Sequence, residues 1–347
     1  MRIRLVTVSS AVLFGICAGP AIGHHAASEF DTTVVIEYEG VVSDFIWANP
    51  HIRIVLETES ESGQPITLNL EGGSPSTLRL GGVAADTFEP GDRVTAFVSP
   101  SRRFPDSAGQ GVQLTKEDGT IVPVITNVSR LGDAAAAAAE AARTPVTSGE
   151  SASSIFGTWV ARGGPPPLAR ASRQWQLTAA GQERMADYTP IMSPHAQCTP
   201  TSPPWLMVYS TASEFRDEGD RIVFRSDWMR AQRTIFMDGR EHPPVATTFP
   251  LGHSVGRWEG SSLVIETTNF AEIIHNGIAN SNQKRLAERF ELSDDGTSMD
   301  YSFVMEDPAF LVGEVSWLNR FDYRPELTLE NLECDREAAQ RFFDEFR

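Results

Sequence analysis

The sequence predicts an all-β protein made of two separate β domains. Two observations carry this. Short apolar/polar alternations recur through both halves, and an alanine-rich, then small and polar stretch divides them. Of 347 residues, 22% are charged and the net charge is −17, which repels nucleic acid and anionic lipid.

The first domain, 24–130, reads as five strands and a helix. Val34, Ile36 and Tyr38 share one face, and past Gly40 the apolar phase moves to Val41, Phe45 and Trp47. A phase change at a glycine marks a β-bulge. Ile52, Ile54 and Leu56 alternate with polar residues, as do Ile66, Leu68 and Leu70. Ser74-Pro75 is an N-cap followed by proline at the first helical position, and Gly81-Gly82 ends that helix. The turn Glu89-Pro90-Gly91-Asp92 leads to Val94, Ala96 and Val98, and a last strand carries Val112 and Leu114. Three strands, a helix and two strands, with the first strand bulged, is the order of a five-stranded OB-like barrel. With seven basic and fifteen acidic residues and no basic stripe, this domain lacks the oligonucleotide-binding face such barrels often carry.

Residues 131–153 lack core periodicity and read as a short frayed helix running into a flexible linker. The second domain, 154–347, opens on Phe156-Gly157-Thr158-Trp159, with a helix expected from Thr178 to Tyr188 and a proline-rich loop up to Pro204. Strands are expected at 205–210, 221–227, 232–237, 262–270, 286–292, 298–305, 314–323 and 327–333. The clearest hairpin turns at Ser293-Asp294-Asp295-Gly296. A short amphipathic helix is expected over 335–347. This pattern predicts a larger antiparallel barrel or sandwich. Gly157-x-Trp159 is superficially similar to the lipocalin signature, but the next expected strand comes only at residue 205, so the domain is lipocalin-like at best.

Residues 1–23 have the parts of a secretory signal peptide. Arg2 and Arg4 precede an apolar run from Leu5 to Ala18, and Ala21 and Gly23 suit cleavage after Gly23. The expected location is periplasmic or secreted. No second apolar run approaches the roughly 20 residues that span a bilayer. Cys17 leaves with the signal, so Cys198 and Cys334 remain, which favours a disulfide in an oxidising compartment.

Three constellations could carry chemistry. Cleavage after Gly23 would give His24 a free α-amine beside two imidazoles, those of His24 and His25, and His51 of Trp47-Ala48-Asn49-Pro50-His51 could join them. Such nitrogen donors suit copper, with zinc or nickel behind it. The alternative is that His51 caps a strand through a backbone hydrogen bond. Gly252-His253-Ser254-Val255-Gly256 matches the Gly-x-Ser-x-Gly nucleophile elbow, but no helix follows it, and a turn with glycines at positive φ is the simpler reading. Around it, Asp238, Arg240, His242, His253, Arg257 and Trp258 form a candidate small-ligand site at a barrel end. His253, Arg257 and Glu259 are the candidate catalytic groups there.

Binding of a metal ion, a small organic ligand or both is therefore the leading function. A hydrolase or lyase using His253 with Arg257 or a nearby carboxylate, and an interaction module for envelope proteins, are the alternatives.

Several motifs together resemble a known family. His24-His25, Glu29-Phe30-Asp31, Gly40-Val41-Val42, Trp47-x-Asn49-Pro50-His51, Ser74-Pro75 and Pro90-Gly91-Asp92 are similar to the exported bacterial domain of unknown function 6152 over about 24–125. In that family the signal ends directly before the histidine pair. Ala26 stands where serine is more usual, and Leu68-Asn69-Leu70 where an aromatic is. The second domain resembles another uncharacterised exported module in Asp238-Gly239-Arg240-x-His242-Pro243, in 252–260 and in Glu288-Arg289-Phe290. Neither resemblance implies an activity.

Overall fold

The computed structural model describes residues 29–125, 150–162, 168, 172–186, 188–275 and 278–340. The expected signal peptide, His24, His25, most of the linker and Phe342, Phe343 and Phe346 lie outside the described residues.

The first domain is an OB-type barrel. Its strands are β1 (Ile36–Ile46), β2 (Arg53–Glu59), β3 (Pro65–Glu71), β4 (Arg93–Pro100), β5 (Ala108–Lys116) and a short β6 (Ile121–Pro123). The order β3-β2-β1-β4-β5 closes through a parallel β3–β5 contact. The inward residues Ile54, Leu56, Leu68, Leu70, Val94, Ala96 and Leu114 fill it. The bulge falls between Val42 and Asp44, just beyond Gly40. Gly40 has a different role: a Cβ there would lie 2.6 Å from Glu57 O and 2.9 Å from Leu56, so it lets the two strands pass closely. Between β3 and β4, α1 (Pro75–Leu78) starts on Ser74, whose Oγ accepts the Thr77 N–H, and a 3-10 turn then ends at Gly82 with φ 81°.

The second domain is a closed nine-stranded barrel, ordered β10-β11-β12-β15-β16-β17-β7-β8-β9. Its strands are β7 (Gly157–Ala161), β8 (Ala212–Asp217), β9 (Arg221–Ser226), β10 (Gln232–Phe236), β11 (His253–Glu259), β12 (Ser262–Thr268), β15 (Arg285–Leu292), β16 (Ser298–Glu306) and β17 (Glu314–Tyr323). A separate hairpin, β13 (Ile273–His275) and β14 (Ile278–Asn280), stands between β12 and β15. Among the described residues the domain also carries the α-helices α2 (Ala179–Ala186) and α3 (Arg336–Gln340).

Neighbours in this barrel are neighbours in the chain, and an odd number of such strands cannot close with every pair antiparallel. The parallel pair is β10–β11. A parallel pair cannot be joined by a tight hairpin, so residues 237–252 form a long crossover on the outside of the wall.

Four expectations are corrected. Residues 205–208 form a buried 3-10 helix, not a strand. Residues 327–333 form no strand; both sheets are closed barrels, and the segment runs as a strap between them. Gly157-x-Trp159 is itself a barrel strand, followed by a long excursion before β8. Gly256 is a strand residue paired with Ile265, while Gly252 takes φ 75°.

The strap ties the domains together. Asn49 donates its N–H to Glu333 O at 2.7 Å and accepts the Asp335 N–H at 2.7 Å. Trp47 donates its indole N–H to Glu330 Oε2 at 3.2 Å. Arg79 reaches Asp227 at 2.8 Å, Glu330 at 3.3 Å and Thr328 O at 2.8 Å. A disulfide between Cys198 and Cys334 fastens the strap to the proline-rich loop. It closes a loop with a sequence separation of 136, so Cys334→Ser is expected to cost about 2–4 kcal/mol, read from urea midpoints. A loss confined to reducing conditions in the wild type would confirm the origin of the effect.

Candidate functional site

Large side chains pack the interior of the second barrel. Trp159, Phe215, Phe224, Phe290, Tyr301 and Phe321 are each less than 2% exposed. Among them lies a charged network on inward positions of five strands. Arg233 of β10 forms a two-pronged ion pair with Glu288 of β15, one arm at 3.1 Å. Its remaining donors reach Ser254 Oγ at 2.9 Å and Thr267 Oγ1 at 2.7 Å. Tyr301 donates to Glu288 at 3.0 Å, and burial holds its phenol well above the usual pKa. Ser254 is therefore an internal hydrogen-bonding partner within a strand and has no access to a substrate. Lys284 is also wholly buried, donating to Pro203 O and standing 4.2 Å over the Phe270 ring; burial pushes its pKa down to about 7.

The expected ligand cluster divides in two. At the start of β11, the Nδ1 atoms of His242 and His253 are 2.8 Å apart, so one ring donates to the other. His253 also stacks on Phe236 at 5.2 Å. Burial holds both imidazoles below their ordinary pKa, and for His253 the neighbouring His242 and Arg240 act in the same direction. Arg240 lies 3.7 Å over Phe236 and is bonded to Asp238, whose pKa that bond holds at about 2. At the far end of β11, Arg257 and Arg289 share Glu259, and Trp258 meets Phe156 edge-on at 6.2 Å. His253 and Arg257 point outward from the same strand but are separated by about 13 Å at strand rise. One substrate atom cannot meet both.

His51 donates its Nδ1–H to Gly72 O at 3.0 Å, the strand-capping bond that competes with metal ligation at that atom. Among the described residues no three His, Cys, Asp or Glu side chains converge as a metal site.

Beside His242 runs a groove of about 690 Å³ on the outer wall of the second barrel. The 237–252 crossover forms one bank. Asn269 (φ 56°) fixes it, donating from Nδ2 to Pro243 O, Pro244 O and Thr247 O at 2.9–3.2 Å. The other bank and the floor come from β12, β15 and β16, through Glu266, Arg285, Ala287, Val304 and Glu306. Of the residues lining the groove, only His242 is among those expected from the sequence. The outward phase of β15 and β16 exposes the rest, but strand alternation alone does not tell which outward residues face a groove.

On the first barrel, Gly40, Trp47, Asn49, Ser74 and Gly91 each have a definite structural task. Gly91, at φ 103°, donates to Val42 O at 2.8 Å and so closes the turn onto β1. Residues 13–110 match the model of the family of unknown function DUF6152. The rest of the chain has no family match. No curated protein matches the chain. Within the DUF6152 region, Trp47 and Asn49 contact the strap of the second domain.

Proposed function

We propose that this is an exported binding protein that takes a small organic ligand in the groove between the 237–252 crossover and the outer wall of the second barrel. The observation that carries the reading is a preformed concavity of about 690 Å³, within the range of small-molecule sites, with a bank pinned by Asn269. Its lining sets an apolar part, with Val245, Ala287 and Val304, beside a larger number of polar and charged side chains. The packed barrel interior supports an external site over an internal one. Export is supported by the signal-like residues 1–23 and by the Cys198–Cys334 bond, which belongs in an oxidising compartment. The groove reading is preferred to a hydrolase or lyase using His253 with Arg257, since those two side chains lie about 13 Å apart along β11.

A thermal-shift screen of small organic acids, amines and amino acids tests the reading. A ligand that binds is expected to raise the unfolding midpoint of the full chain. Ala287→Trp fills the groove floor from an exposed position between Glu266 and Val304 and is expected to abolish that rise. Ligands that stabilise Ala287→Trp as well as the wild type would place binding elsewhere.

A further inference from the structure

The floor of the groove holds an ion pair that does not close. Arg285 and Glu306 stand directly opposite each other in the antiparallel register of β15 and β16. Residues so opposed have Cα atoms about 4.5–5.5 Å apart, close enough for Arg and Glu to pair. The same wall supplies a comparison. Asp300 and Arg320, opposed across β16 and β17, do close, with hydrogen bonds of 2.7 and 3.1 Å. Arg289, further along β15, is held by Glu259 and Glu291. Among the described residues, neither the Arg285 guanidinium nor the Glu306 carboxylate makes an ion pair or a side-chain hydrogen bond. Both line the groove. Val304 and Val245, 40% and 68% exposed, border it as well and add an apolar surface beside the two charges.

We propose that the groove binds a small aliphatic zwitterion, an amino acid or a compound of the same charge pattern. Its carboxylate meets Arg285, its cationic nitrogen meets Glu306, and its aliphatic group lies on Val245 and Val304. The inference rests on the reading of the groove as the ligand site. An α-amino acid carries its two charged groups on one carbon, which suits two opposite charges on neighbouring strands. Each half-ligand is disfavoured: a lone carboxylate meets the repulsion of Glu306 and Glu266, and a lone ammonium meets that of Arg285.

The test is calorimetric titration of the full chain with leucine and with three analogues: isocaproate, which lacks the amine; isoamylamine, which lacks the carboxylate; and isoamyl alcohol, which has no charge. Leucine is expected to bind at least about tenfold more tightly than each analogue. Arg285→Gln is expected to erase its advantage over isoamylamine, and Glu306→Gln its advantage over isocaproate. Both positions lie on the outer wall, and circular dichroism checks that the variants remain folded. If an analogue binds the wild type as tightly as leucine and Ala287→Trp abolishes that binding, the zwitterion inference falls and the groove reading stands. If none of the four binds, the zwitterion inference falls, and the thermal-shift screen with Ala287→Trp decides the groove reading separately.

Discussion

Glu288→Ala is expected to lower the unfolding free energy by about 3–5 kcal/mol. The size follows from where the charge sits. Glu288 and Arg233 are each no more than 2% exposed, in the middle of a barrel otherwise filled by aromatic rings. Burying two charges costs more than their attraction returns unless every donor is used, and here the guanidinium spends its donors on Glu288, Ser254 and Thr267. Removing Glu288 leaves that guanidinium charged in a site water cannot reach, and strands the Tyr301 hydroxyl as well. Removing both charges is a different experiment. The pair Arg233→Met with Glu288→Leu is expected to recover most of the loss, because the barrel interior accepts apolar side chains of similar volume. Urea denaturation of the single and double variants measures both. A loss under about 1 kcal/mol in Glu288→Ala would mean that water enters the barrel at this position.

That network was half legible. On β15, Leu286 and Phe290 fix the inward phase, and Glu288 shares it; on β10, Ile235 does the same for Arg233. A charge in the apolar phase of a strand points to a buried partner. The long, cleanly alternating strands at 285–323 and the OB order of the first domain could be read directly, since alternation reports one wet and one dry face. The strands β8 and β11 could not. Ala212–Asp217 has a charged end, and the glycines around His253 look like a turn; barrel closure makes both of them strands. The opposite errors have a common source. Trp205-Leu206-Met207 is an apolar run buried on all sides, and such a run fits a short helix as well as a strand. Residues 327–333 alternate, but the nine-stranded barrel is closed and offers no free edge for them to join. The same closure decided the site. Nothing local announces that β10 and β11 run parallel, so the crossover that builds the groove wall could be seen only once the strands were counted.

Arg79→Ala is expected to destabilise the joined domains by about 3–5 kcal/mol at neutral pH, and by less in mild acid. Arg79 crosses from the first barrel to Asp227 of the second, a carboxylate with no exposure, which also accepts the Glu330 N–H at 2.8 Å. Burial pushes the Asp227 pKa up to about 6 from an ordinary 3.8, and Arg79 is the strongest influence pulling it back down. A carboxyl whose pKa is higher in the folded state adds stability that is full below about pH 4 and is lost as the pH rises to about 6. Above that window Asp227 is charged at a net cost, and Arg79 is what limits the cost. Without Arg79 the folded pKa rises further, so the window widens upward and the penalty at neutral pH grows. In mild acid Asp227 takes up a proton and needs no cation. Thermal unfolding of wild type and Arg79→Ala, at about pH 5 and about pH 7.5, should therefore show the larger gap at the higher pH. Adding Asp227→Asn to Arg79→Ala should narrow that gap and remove its pH dependence. An equal gap at both pH values would mean that Arg79 acts through its bonds to Thr328 and Glu330 alone, and that the domains are joined by the strap rather than by the buried charge pair.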